Sequence, residues 1–180
     1  MSVIPLHIHS HWSLLDGVPS VHEMVDLAQA SHLPALALTD TNALYGAMEF
    51  VSACRQAGIA PILGAELTLT GGHSLVLLAQ NLQGYANLCR LVTRLQAVPD
   101  REASLARGLS WTDLAQHTDG LIALSGGGNG PLDACLRERD TVRAESFAQE
   151  SETYGVILYQ EQVLRTPALH QAQRRCKCRA

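Results

Sequence analysis

The sequence has no long uninterrupted apolar run, no paired cysteine framework, and few basic side chains outside its last seven residues. The first absence excludes a membrane-spanning helix, which needs about 20 consecutive apolar residues. The five cysteines, Cys54, Cys89, Cys135, Cys176 and Cys178, are odd in number and lack paired zinc-knuckle spacing, so reduced thiols are expected. The N-terminus shows no basic region followed by an apolar stretch and a small-residue cleavage site, and a cytoplasmic location without a membrane partner is expected. Arg174, Arg175, Lys177 and Arg179 crowd the tail, and residues 1–173 keep nine of the 13 basic side chains against all 17 acidic ones, a net of −8. Such a body repels a phosphate backbone, so any contact with nucleic acid must come through metals, a local patch or a partner.

What is present is the material of one domain: 180 residues, 47% of them hydrophobic, enough to bury a core. Short apolar strand signals alternate with helical ones. Leu6–His9 reads as a strand, and Ser20 caps a helix, with Glu23 three residues on completing a capping box. Val21, Met24, Val25, Leu27 and Ala28 supply that helix with an inward face. Ala35–Thr39 reads as a buried strand, Leu44–Ala57 as a helix stopped by Gly58, and Ile62–Leu69 and Leu75–Ala79 as strands. A helix around Tyr85–Leu95, another opening at Ser110 or Thr112, and a strand at Leu121–Ser125 complete the pattern. The alternation predicts an α/β fold with a mainly parallel sheet, open or closed.

Chemistry-bearing residues sit at the strand ends. On a strand, side chains at i and i+2 leave one face, so His7 and His9 can address one ion while Leu6 and Ile8 turn into a core, with Asp16 close by in sequence. Asp40, after the second strand, reads equally as a metal ligand or as a helix N-cap or turn residue. Glu66 lies in an apolar strand, where an unpaired carboxylate is costly; it calls for a cation or a basic partner unless the position is an exposed edge. Parallel α/β folds gather such groups at the carboxyl ends of their strands. His73, just before the fourth strand, sits at the opposite end or in a loop. His22, His32, His117 and His170 read as surface or structurally satisfied residues. Ser125-Gly126-Gly127-Gly128-Asn129-Gly130 lacks the Lys-Ser/Thr ending of a P-loop and reads as a strand-to-helix turn before Pro131.

Taken in order, Leu6-His7-Ile8-His9-Ser10 with Ser13-Leu14-Leu15-Asp16-Gly17, Ala37-Leu38-Thr39-Asp40 with Leu44-Tyr45-Gly46-Ala47, and Pro61-Ile62-Leu63-Gly64-Ala65-Glu66 carry a family resemblance. His73 with Leu75–Ala79, Gly84-Tyr85-Ala86-Asn87-Leu88, and Gly120-Leu121-Ile122-Ala123-Leu124-Ser125-Gly126 continue it. Over about residues 4–130 the chain resembles the PHP (polymerase and histidinol phosphatase) domain that begins the alpha subunit of bacterial DNA polymerase III. The resemblance implies a distorted barrel of seven βα units, here incomplete with about five recognisable strands. It implies divalent metals, Zn or Mn with Mg as an option, at partial occupancy. His7 and His9 hold one metal with Asp16 close by, Glu66 bridges metals, and His73 completes a neighbouring position. The implied partners are DNA and other polymerase subunits.

The chain also departs from that pattern. Thr41 stands where the family has a histidine ligand, Gly127 stands where a cysteine commonly follows the Leu-Ser-Gly strand, and the late Asp-x-His pair has no counterpart. Thr153–Val163 resembles a stretch found much later in the same polymerases. The expected organisation is therefore a PHP domain over 1–150, incomplete at its C-terminal side, a polymerase-like segment over 151–165, and a disordered basic tail over 166–180. No Asp-x-Asp pair occurs, so no polymerase activity is expected from this chain alone, and phosphoesterase or 3′–5′ exonuclease activity is expected to be weak or lost. The competing expectations are a free-standing phosphoesterase acting on a small phosphate ester and a non-catalytic scaffold.

Overall fold

The computed structural model describes residues 4–124, 129–153 and 158–159. Among the described residues, five strands form one sheet in the order β1 (Ala35–Leu38), β2 (Ala60–Thr68), β3 (Ser74–Ala79), β4 (Leu121–Leu124) and β5 (Leu158–Tyr159). The helices are α1 (Val21–Ala30), α2 (Ala47–Ala57), α3 (Leu82–Gln96), α4 (Arg101–Arg107), α5 (Trp111–Ala115), α6 (Pro131–Arg137) and α7 (Thr141–Thr153). The α/β class is as the alternation predicts, but the sheet is mixed. β1 pairs with β2 in parallel, β2 with β3 and β3 with β4 antiparallel, and β4 with β5 in parallel.

A turn causes the reversal. Gly71 and Gly72 take φ of 94° and 79°, and Leu69 N–H donates to the His73 carbonyl at 2.7 Å, so β2 doubles straight back as β3. Glycine reaches this left-handed region without a Cβ clash. A crossover helix, which a parallel pair requires, has no room in so short a connection.

Two elements differ from the sequence reading for local reasons. Leu6–His9 is not a strand, although it runs beside β1. Thr39 N–H donates to the Ile8 carbonyl at 2.9 Å, and the Ile8 N–H is taken by the Thr39 hydroxyl at 2.8 Å, so a side chain replaces part of the backbone ladder. The helix expected from Leu44 begins at Ala47, because Asn42 with φ 53° and a turn bonding Ala47 N–H to the Leu44 carbonyl come first.

Other signals act as read. Ser20 and Glu23 form the capping box of α1, and Gly58 closes α2 at φ 72°. Val21, Met24, Val25 and Ala28 are the buried stripe of α1, whereas Leu27, expected inward, is 69% exposed. That stripe packs with Phe50, Cys54, Leu36 and Leu38 into one core between α1, α2 and β1. A second core forms where Ala65, Leu67, Leu75, Leu77 and Ala123 meet Leu88, Leu91 and Leu95 of α3. Each fully buried leucine there contributes about 2 kcal/mol of burial free energy. On the other face of the same strands, Val76, Leu78 and Leu124 cluster with Ile62 and Ile122.

Glu66 pairs in register with Val76 and therefore points to that second face. Among the described residues, Cys54, Cys89 and Cys135 are free thiols, and burial pushes the Cys54 thiol up to about 11. No described helix is long and apolar enough to cross a membrane.

Candidate metal centre

Three segments meet at the β1–β2 edge of this face. Residues 5–9 lie along β1, the chain after β1 continues beside β2, and β2 carries Glu66. The last two are stitched together, since Glu66 N–H donates to the Asp40 carbonyl at 3.2 Å and Asn42 N–H donates to the Glu66 carbonyl at 2.7 Å. Thr41 thereby pairs with Glu66 as an isolated parallel bridge.

His7 Nε2, His9 Nε2 and Glu66 Oε2 form a triangle. The two nitrogens are 3.1 Å apart and lie 3.1 Å and 2.9 Å from the carboxylate oxygen. Donor atoms about 2.1 Å from a shared divalent ion stand about 3.0–3.4 Å from one another, so the triangle matches one side of a coordination shell. Among the described residues, this is the one group of three or more His, Cys, Asp or Glu side chains whose donor atoms converge so closely.

The electrostatics favour a cation. His9 Nδ1–H donates to Asp16 Oδ2 at 2.6 Å, an arrangement that assigns the proton to Nδ1 and leaves the Nε2 lone pair facing Glu66. A lone pair, a carboxylate and a second imidazole nitrogen cannot share so small a space without a proton or a metal between them. The Glu66 hydrogen bond, opposed by burial and reinforced by the Glu66 and Asp16 charges, raises the His9 pKa. Burial pushes the Glu66 carboxyl up, but hydrogen bonds from His7 and His9 outweigh it and hold the group well below the usual carboxylate range. The Ser74 hydroxyl lies near enough to favour the charged carboxylate, yet it makes no hydrogen bond of normal geometry.

The remaining candidates fall elsewhere. Asp40 is 1% exposed, and its oxygens accept from Ser10 N–H at 2.7 Å, Ser10 Oγ–H at 2.9–3.0 Å and Ser13 Oγ–H at 2.7 Å. Its carboxylate is occupied in tying the loop after His9 to the end of β1. Asp16 reaches the site through His9 and does not join the triangle. His73 lies in the β2–β3 turn, packed near Gly71, and also stays outside it.

Ser10 and Ser13 enter the sequence reading only as members of the quoted motifs, with no role of their own. They are buried, and Ser13 Oγ also accepts from Thr41 N–H at 3.0 Å, which fixes the chain beside Glu66. Two serines three apart facing a buried aspartate are an available signal, but only once the pairing of the two segments is known. Gly17 closes this loop, because a Cβ there would stand 1.9 Å from the Ser10 carbonyl oxygen. The Ser125–Gly128 stretch, with Gly127, lies outside the described residues.

The PHP domain family model matches residues 5–159. This chain belongs to the PHP domain family. It is 41% identical over 162 residues to an error-prone DNA polymerase of Symbiobacterium thermophilum, covering 83% of this chain and 15% of that protein. To the DNA polymerase III alpha subunit of Halalkalibacterium halodurans it is 32% identical over 153 residues, covering 83% of this chain and 13% of the relative. The chain therefore spans 13–15% of the length of these two relatives. An amidohydrolase from Chromobacterium violaceum shares the fold with a TM-score of 0.51 at 18% identity, over 91% of this chain and 88% of the other. The PHP match extends past residue 150. The segments at 151–165 and 166–180 fall largely or wholly outside the described residues.

Proposed function

We propose that this chain is the PHP module of a DNA polymerase III alpha-type or error-prone polymerase, with a divalent-cation site in which His7, His9 and Glu66 are the ligands and Asp16 orients His9. The observation that carries the reading is the triangle of three donor atoms 2.9–3.1 Å apart, backed by a carboxylate on the outer nitrogen of His9. A bound Zn or Mn ion supplies Lewis acidity toward a phosphoryl oxygen and makes water more acidic. The chain's own contribution is orientation and charge: Glu66 brings one negative charge, Asp16 fixes the tautomer of His9, and the Ser10–Ser13–Asp40 bonds hold the histidine segment against β1.

In this reading the substrate class is a phosphodiester or phosphomonoester at the end of DNA, hydrolysed weakly, in the setting of replication or repair in the cytoplasm. Polymerase chemistry belongs to other parts of the longer relatives. The proposed organisation is a PHP domain over 1–150, incomplete at its C-terminal side, then a polymerase-like segment over 151–165 whose β5 continues the sheet beside β4, and a basic tail over 166–180.

A scaffold role is the second reading. It is favoured by Thr41, which puts a weakly ligating hydroxyl beside Glu66, and by Asp40, whose carboxylate is already engaged. Elemental analysis of the monodisperse protein after dialysis against trace Mn and Zn separates the two. Stoichiometric metal that His7→Ala/His9→Ala removes, with 3′-end hydrolysis that depends on it, supports the enzyme. A folded protein that takes up no metal leaves the scaffold.

A further inference from the structure

Asn42 is buried at the point where the segment after β1 turns away from β2. Up to that point the two run as a parallel ladder, in which Glu66 N–H donates to the Asp40 carbonyl and Asn42 N–H donates to the Glu66 carbonyl. The next rung of such a ladder carries Thr68 N–H to the Asn42 carbonyl. Here that carbonyl faces elsewhere. Asn42 takes φ 53°, in the left-handed region that asparagine tolerates, and its carbonyl accepts from Gln96 Nε2 at the end of α3 at 2.6 Å. The side chain takes over the rung. Asn42 Oδ1 accepts from Thr68 N–H at 2.9 Å, and Asn42 Nδ2 donates to Thr68 Oγ1 at 2.8 Å. A backbone N–H can only donate, so Thr68 fixes which way the Asn42 amide is turned.

We propose that Asn42 is a positioning residue of the metal centre: its side chain carries the ladder one rung past Glu66 and so keeps the Glu66 carboxylate turned toward His7 and His9. Without that rung the pairing with the segment after β1 ends at Glu66 itself, and the last residue of a ladder opens more readily than an internal one. The inference rests on the metal-site reading for its effect on affinity, and on the hydrogen bonds alone for the placement of Glu66.

Asn42→Gly tests the rung, because glycine takes the same φ without strain and removes the side chain. A metal-free crystal structure of this variant of the full chain should show Glu66 Oε2 outside hydrogen-bonding distance of His7 Nε2 or His9 Nε2. A carboxylate that keeps both contacts overturns the proposal. Displacement of Glu66 in the variant, together with a parent protein that takes up no Mn, would support the positioning role and overturn the metal reading alone.

Calorimetric Mn titration gives the second readout. Affinity should be about tenfold weaker in Asn42→Gly at unchanged stoichiometry, the size expected when a group that orients a ligand is lost. Thr68→Val removes the hydroxyl that accepts from Asn42 and should weaken Mn binding in the same direction, with Thr68→Ser restoring it. Gln96→Ala separates positioning from stability, since it deletes the bond to the Asn42 carbonyl and leaves the rung to Thr68 in place. It should lower the melting temperature without changing Mn affinity. Mn binding as weak in Gln96→Ala as in Asn42→Gly, or a Thr68→Ser variant as weak as Thr68→Val, would mean that general loosening and not the rung is responsible, and would overturn the proposal.

Discussion

Asp16 Oδ2 stands 2.6 Å from His9 Nδ1, on the opposite side of the imidazole from the nitrogen that meets Glu66. The ring is held between two carboxylates with different tasks, one buried at the triangle and one 61% exposed in its side chain at the loop. Asp16→Asn keeps the shape but weakens the charge that orders the ring. Mn or Zn affinity should drop about 10- to 100-fold, while stability moves by less than about 0.5 kcal/mol, as for an exposed position. Paired calorimetric titration and urea denaturation read the two quantities, and a stability loss matching the affinity loss would mean that Asp16 holds the loop and not the ligand.

Asp40 predicts the reverse pattern. Asp40→Ala strands Ser10 N–H, Ser10 Oγ and Ser13 Oγ in a fully buried place. The cost should be about 3 kcal/mol, from several buried polar groups losing their acceptor at once. A urea midpoint within error of the parent protein would show that these bonds are not a fold anchor.

How far the sequence could be read depends on range. Signals spanning a few residues were legible: Ser20 with Glu23 places the start of α1, Gly58 the end of α2, and, of the two starts offered for α5, Ser110 and Thr112, the first is the cap. The family resemblance built on the His7 and Glu66 segments agrees with the PHP match. Strand direction was not legible, because Leu75–Ala79 has the same apolar pattern whether it follows a crossover or a hairpin. The two glycines before His73 decide for the hairpin. Nor could spacing tell a carboxylate that faces the triangle, as Glu66 does, from one saturated by serines, as Asp40 is. That distinction depends on which face of the sheet each residue occupies, a property of register: Thr41, not Asp40, is paired with Glu66.

Gly84 gives a prediction whose sign opposes propensity. Alanine in the first turns of α3 would ordinarily stabilise by about 1 kcal/mol over glycine. Here a Cβ would stand 1.9 Å from the Gly120 carbonyl oxygen, where the helix presses on the turn before β4. Gly84→Ala should therefore lower the melting temperature, and a rise would mean that α3 and the 118–120 turn part at little cost.

The capping box of α1 sets a pH dependence. Backbone and side-chain hydrogen bonds from Ser20 lower the Glu23 pKa from its ordinary 4.5. A depressed carboxyl contributes stability that is complete above the unfolded value and is lost as pH falls through the folded one. The melting-temperature gap between the parent and Glu23→Ala should be constant above about pH 5 and narrow as the pH is lowered below 4.5. A gap independent of pH down to 3 would remove the charged form of Glu23 from the account.

All three corners of the triangle, the aspartate behind His9 and the serines that brace Asp40 come from the first 66 residues. The same arrangement divides the molecule for evolution. Insertions, exchanges or fusions beyond β4 leave the His7–His9–Glu66 cluster untouched, so what the module is attached to can vary while that cluster is kept as a unit.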